Sequence, residues 1–214
     1  MRKQIKTILY CHGFASNFDP DKPKIRALER IAPVRGVTVD YTRDPQDAFQ
    51  AHTDQLAEAE KPLIVGTSLG GFFAAWIGSE LNLPFIVINP AIRPFSSLRA
   101  YLGEGVTHFG APFVLTEEVV DGYRDLTFRT DGPGRVVLDM GDEVISSQDT
   151  LDTVIDLPVL TFPGGSHRFD HMEELVDLLI RSRAPDRTRA LPPAPEGAGP
   201  RRAPPPAGPD QDRR

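Results

Sequence analysis

Two rhythms of apolar and polar positions alternate along the first 183 residues. Short runs rich in β-branched and aromatic side chains fall at 5–11, 37–41, 62–66, 85–89, 135–140 and 158–162, and each reads as a strand. Between them lie helical patterns. Residues 21–32 carry Ile25, Leu28 and Ile31 at helical spacing, and 44–60 opens with Asp44 as N-cap and Pro45 at the first helical position. An apolar helix is expected over 72–81 and an amphipathic one over 173–183. This alternation predicts an α/β domain, with a mostly parallel sheet of about six strands and helices on both faces. Residues 93–134 break the rhythm with Tyr, Phe, Gly and Pro and one expected helix at 116–126. They are expected to form a small cap-like insertion over the carboxyl ends of the strands, where such sheets bind ligands.

Composition changes this picture mainly at the end of the chain. Nine of the 21 prolines lie in 184–214, where Leu191 is the single large apolar residue. Such a segment cannot bury enough surface to offset its ordering entropy, so it reads as a disordered tail on a domain spanning 1–183. The net charge of −6 argues against nucleic acid as a partner. The lone Cys11 rules out an intramolecular disulfide and a Cys-rich zinc site. The basic residues Arg2, Lys3 and Lys6 precede an apolar run, as in a secretion signal. His12 and Gly13 cut that run short of the roughly 7–15 residues a signal core needs. No stretch approaches the ~20 apolar residues of a membrane span. The expectation is a soluble, cytoplasmic protein.

The chemistry begins at Gly66-Thr67-Ser68-Leu69-Gly70-Gly71, between a strand and a helix. Gly-x-Ser-x-Gly in that setting is the nucleophile elbow, a turn tight enough to strain the serine and lift its hydroxyl to the top of the sheet. The alternative is a turn that merely packs a helix on a strand. A phosphate loop would need Gly-Lys-[Ser/Thr], and a dinucleotide loop would need glycine where Ser68 stands. A serine hydroxyl needs a base. His167 lies just past the last strand behind Gly164 and Gly165, the place from which this fold presents its base. His52 reads as a solvated residue of a polar helix and His108 as surface. His171, four residues after His167, suggests a metal pair, but the His-Glu-x-x-His pattern is missing. Asp142, on the loop after the 135–140 strand, can orient His167. Asp139, inside that strand, and Glu143, next door and aimed elsewhere, are its decoys. The order Ser68, Asp142, His167 is that of α/β-hydrolases. His12-Gly13-Phe14 after the first strand supplies the donor loop, so the backbone amides of Phe14 and Leu69 are the expected oxyanion hole.

The chain resembles the small bacterial esterases of the YqiA/YcfP type within the α/β-hydrolase superfamily. The resemblance rests on 8–16, 66–72, Asn89-Pro90-Ala91-Ile92-Arg93-Pro94, 101–104, 113–116, 141–144 and 164–169, in order. It implies a carboxylesterase or acyl-thioesterase with Ser68, Asp142 and His167 as triad, a small cap and no large lid. Ser166 departs from the acidic residue often found before the histidine, and Thr67 from a frequent serine. Arg93 reads either as one half of a structural ion pair, with Glu104 as candidate partner, or as a contact for an anionic substrate group. Tyr101, Phe95, Phe109 and Phe113 either line an apolar acyl pocket or pack the insertion onto the body. No metal or organic cofactor is called for, and the partner is a small-molecule ester or thioester. The competing readings are an acyltransferase on the same triad and a non-catalytic binding protein on a hydrolase scaffold.

Overall fold

The structure, a computed structural model, describes residues 4–183. The segment read as a disordered tail lies outside the described residues. Six parallel strands form the central sheet: β1 (Thr7–Cys11), β2 (Val34–Arg35), β3 (Pro62–Thr67), β4 (Phe85–Ile88), β7 (Gly134–Asp139) and β8 (Val159–Phe162). Their spatial order is β2-β1-β3-β4-β7-β8, so β3, which carries the elbow, sits near the middle. Helices α1 (Pro23–Glu29) and α7 (Met172–Arg183) cover one face. Helices α2 (Pro45–Asp54) and α3 (Leu69–Glu80) cover the other.

The strand pleat explains this sorting, because successive side chains point to opposite faces. Leu9, Cys11, Ile64, Val87, Val136 and Leu138 enter the core under α3. Ile8, Tyr10, Leu63, Val65, Ile86 and Val137 enter the core under α1 and α7. Strands buried on both faces read as continuous apolar runs, which is why β1, β3 and β4 stood out in the sequence. Helix α3 is buried nearly all round, since it lies between the sheet and the insertion.

Some boundaries differ from the expectation. The run at 37–41 is no strand, and the edge of the sheet is the two-residue β2. Val39 N–H donates instead to the ring nitrogen Nε2 of His12 at 2.9 Å, so a side chain replaces a ladder bond. Helix α1 covers Pro23–Glu29 rather than 21–32, and α2 stops at Asp54. The expected cap of α2 is present, with Asp44 accepting from Gln46 N–H at 2.8 Å. Helix α6 (Ser147–Thr153) was not anticipated.

The insertion holds four short pieces in place of one helix. They are α4 (Pro94–Leu98), continued by a 3₁₀ turn at Arg99–Tyr101, the antiparallel hairpin β5 (Gly103–Val106) and β6 (Pro112–Leu115), and α5 (Glu117–Asp121). Helix α5 is capped by Thr116, which accepts from Val119 N–H. It ends five residues earlier than expected. The turn of the hairpin is tied to the body where His108 N–H donates to the Ala15 carbonyl at 2.8 Å.

Candidate active site

The turn after β3 leaves Ser68 at φ 54°, ψ −124°, a conformation that L-residues with a side chain seldom adopt and that needs the surroundings to hold it. Here the holding is explicit. Ser68 N–H donates to the Ile88 carbonyl at 3.0 Å, and the Ser68 carbonyl accepts from Gly71 and Ala91 N–H at 2.9 and 3.0 Å. The helix that follows passes so close to β1 that a Cβ on Gly70 would lie 2.1 Å from the Cys11 carbonyl oxygen and 2.3 Å from that of His12. Backbone oxygens cannot yield the way a side chain can. Gly70→Ala is therefore expected to lower unfolding stability by about 3 kcal/mol or more. A urea melt checks this, and a variant within 1 kcal/mol of wild type would mean the elbow is looser than described.

Loops at three strand ends meet at this serine. His167 Nε2 lies 3.0 Å from Ser68 Oγ, and His167 Nδ1 lies 2.8 Å from Asp142 Oδ2. An ionised carboxylate only accepts, so Nδ1 carries the proton and Nε2 presents its lone pair to the serine hydroxyl. Asp142 is buried, and its second oxygen accepts from Val144 and Ile145 N–H, both at 2.8 Å. Those bonds fix the carboxylate before the imidazole arrives. Gly13 packs against Ser68, with its Cβ direction ending 3.1 Å from the Ser68 Cβ, so the loop after β1 lies alongside the hydroxyl. Among the described residues, neither Phe14 N–H nor Leu69 N–H has an acceptor.

Three residues outside the expected set hold the His167 loop. Asp139, placed in the sequence as a decoy, is fully buried at the end of β7. It accepts from Asp170 N–H at 2.7 Å, Ser166 N–H at 3.3 Å and the His171 ring at 2.7 Å. A Cβ on Gly165 would fall 2.0 Å from an Asp139 oxygen, which is why the loop needs glycine there. Asn89 bridges the same parts: its Oδ1 accepts from Asp139 N–H at 2.9 Å and its Nδ2 donates to the Ser166 carbonyl at 3.0 Å. Glu143, expected to aim elsewhere, accepts from His167 N–H at 3.0 Å. The signal for Asn89 was present in the Asn-Pro-Ala-x-Arg-Pro segment. Nothing in the sequence marked Asp139 and Glu143 as supports of the His167 loop.

The other histidines divide differently from the expectation. His108 is exposed, as read. His52 is not solvated: it is fully buried, because α2 turns it inward against Tyr41 and Phe73. Tyr41 donates its hydroxyl proton to the His12 carbonyl at 2.7 Å, so His52 Nε2–H must donate to Tyr41 Oη at 2.9 Å. Burial holds both rings neutral, with His12 lowered to about 4 and His52 to about 3. His171 stacks on Phe162 and binds Asp139, and no group of metal-ligating side chains occurs among the described residues.

A cavity of about 890 Å³ is lined by Phe14, Ala15 and Ser16, by 38–42, and by hairpin residues including Glu104, Phe109 and Phe113; it adjoins the site through the Gly13–Phe14 loop, and Ser68, Asp142 and His167 are not part of its wall. Phe113 and Tyr101 both pack on Phe14, with centroids 5.2 and 5.3 Å away. Phe113 lines the cavity, whereas Tyr101 sits outside it. Phe95 lies under Arg124 and Arg99. Arg93 makes no ion pair with Glu104. It points to α6 and reaches Thr153 Oγ1 at 3.4 Å, away from the cavity.

The sheet order, the elbow after the third strand and the histidine after the last define an α/β-hydrolase fold. Solved structures with this architecture include Est1E from Butyrivibrio proteoclasticus (TM-score 0.64, 16% identity, covering 84% of this chain and 87% of that one). Alpha/beta hydrolase domain-containing protein 10 from mouse is similar to the same degree (TM-score 0.64, 16% identity, 83% and 90% covered). The chain belongs to the uncharacterised protein family UPF0227, whose profile matches residues 7–181. It is 26% identical over 149 residues to the UPF0227 protein YcfP of Escherichia coli, which covers 67% of this chain and 79% of that protein. No helix among the described residues is long and apolar enough to cross a membrane.

Proposed function

We propose that the protein is a serine hydrolase that cleaves carboxylic esters or acyl thioesters through an acyl-enzyme. The observation that carries the reading is the continuous Asp142–His167–Ser68 hydrogen-bond chain at 2.8 and 3.0 Å, ending on a half-buried serine in strained backbone. In this mechanism Ser68 Oγ attacks the acyl carbonyl as its proton passes to His167 Nε2. Asp142 stabilises the imidazolium, and the Phe14 and Leu69 amides receive the oxyanion. His167 then protonates the departing alkoxide or thiolate. A water molecule, deprotonated by His167 in turn, attacks the acyl carbon and releases the acid and the free serine.

The aromatic part of the cavity, Phe14, Phe109 and Phe113, is where an acyl chain would pack, with Asp40 and Glu104 on the same wall. Hydrolysis of p-nitrophenyl esters of increasing chain length, beside acyl-CoA thioesters, tests both points. The expected result is turnover with an optimum at a definite chain length, together with labelling of Ser68 by a fluorophosphonate probe. A folded protein that hydrolysed neither ester class and left the probe unreacted would overturn the reading.

A further inference from the structure

Several cations among the described residues are paired. Arg26, Arg43, Arg99 and Arg129, for example, each hold a carboxylate. Around the His167 loop, unpaired cations from two segments come together. Lys24, half-buried on α1, has its ammonium 3.4 Å from the Arg168 carbonyl, and no carboxylate pairs with it. Arg168 directly follows His167 and is exposed, and its guanidinium holds no carboxylate either. Asp170, two residues on, is occupied with Ser166 Oγ at 3.1 Å. Lys22 stands close enough to repel Lys24. Its own three donors are taken by Ser16 Oγ, the Asn17 carbonyl and Asn17 Oδ1, with Asp19 as its one acidic influence. Burial, Lys22 and Arg168 together push Lys24 down to about 8. Three positive charges from segments nearly 150 residues apart thus crowd one spot in a chain of net charge −6. Two of them keep free N–H groups.

The location gives the crowding a use. Ser68 touches Gly13 on one side and His167 on the other. The cavity, whose wall mixes aromatic side chains with Asp40 and Glu104, opens beyond Phe14. Arg168 directly follows His167 and Lys24 reaches its carbonyl, while Lys22 bonds Ser16 at the rim of the cavity. A substrate held at Ser68 therefore has both the cavity and this unpaired cationic group on loops that adjoin the serine.

We propose that Lys24 and Arg168, with Lys22 adding to the field, form an anion-recognition site beside Ser68, so that the half of the substrate outside the cavity carries phosphate or carboxylate oxygens. This inference rests on the ester or thioester reading for its place in a reaction, but not for the existence of the site. It also moves anion recognition from Arg93, where the sequence allowed it, to residues flanking the base.

The test uses the full chain and two readouts. The first is the ratio of kcat/KM for butyryl-CoA to that for the neutral p-nitrophenyl butyrate. In the double variant Lys24→Gln/Arg168→Gln that ratio is expected to fall about tenfold or more. In Lys24→Arg/Arg168→Lys, which keeps the charges, it is expected to stay within about threefold of wild type. A ratio unchanged in the double Gln variant overturns the proposal. The second readout is calorimetric titration of Ser68→Ala with inorganic phosphate, succinate and coenzyme A. Binding that disappears when Lys24→Gln/Arg168→Gln is added upholds the site, and the anion that binds tells phosphate from carboxylate. No binding by any of the three overturns it. Should the wild type turn over neither ester, the esterase reading fails and the titration alone decides the anion site.

Discussion

Ser68→Ala is expected to lower kcat for p-nitrophenyl butyrate by at least about 10⁴-fold, and Asp142→Asn by a comparable factor. Both proteins are expected to remain folded. The serine's backbone is fixed by bonds to Ile88, Gly71 and Ala91 that do not involve its hydroxyl, so alanine removes the proposed nucleophile and little else. The Asp142→Asn argument concerns the tautomer. Asparagine can turn its amide N–H₂ toward His167 Nδ1, which then accepts, and the ring proton moves to Nε2. A protonated Nε2 cannot receive the serine proton. Glu143 cannot substitute, because it is held at the backbone N–H of His167. Steady-state kinetics on purified variants check this. Activity that persisted in Ser68→Ala would point to another nucleophile, and a mild Asp142→Asn phenotype would remove Asp142 from the mechanism.

The second large effect is on stability rather than rate. His12 and His52 are buried neutral, lowered to about 4 and about 3 from an unfolded value near 6.5. Between pH 7 and pH 5 the unfolded chain takes up a proton at each ring and the folded protein does not. Stability is therefore fully present above about pH 7 and falls as the solution is acidified through 6.5 toward the folded values. At 1.36 kcal/mol per pKa unit, the two rings together contribute a loss on the order of 3 kcal/mol over that interval. Most carboxylates titrate below it, so the window isolates the histidines. Urea midpoints at pH 7 and pH 5 measure the effect. His52→Gln, which keeps a donor for Tyr41, is expected to show about half the wild-type decline. An identical decline in that variant would mean that His52 is not the group responsible. Because Tyr41 also grips the His12 carbonyl, acid loss of this network loosens the loop that carries Phe14.

The sheet was legible in the sequence wherever strands were buried on both faces, since such strands are continuous apolar runs. Ser68 and Asp142 were legible for a related reason, since each follows one of those strands at its carboxyl end; His167 follows the edge strand β8, and the structure brings the three side chains within hydrogen-bond distance. What escaped depended on contacts between distant parts of the chain. The run 37–41 has strand composition, but His12 claims its amide. His52 lies in a helix that is polar by composition, and only the direction of one turn buries it. The insertion carries too few apolar residues at regular spacing to announce a hairpin. Helix α6 did leave a local mark, since Ser146 accepts from Asp149 N–H as a cap would. Asp139 and Glu143 were set aside in favour of Asp142, and their own bonds to the His167 loop depend on what the fold places opposite them.

Hairpin β5–β6 pairs with no strand of the central sheet, yet its residues form one wall of the cavity beside Ser68. Among the described residues, one backbone bond ties its turn to the loop after β1, from His108 N–H to the Ala15 carbonyl. Side chains such as Val106, Phe109 and Val114 are largely exposed, so exchanging them costs little folding energy. Substitutions in this hairpin can therefore reshape what the cavity accepts while the strained serine and its partners stay in register. The architecture separates the part that must not vary from the part that is free to, which gives a lineage built on it an inexpensive route to new substrates.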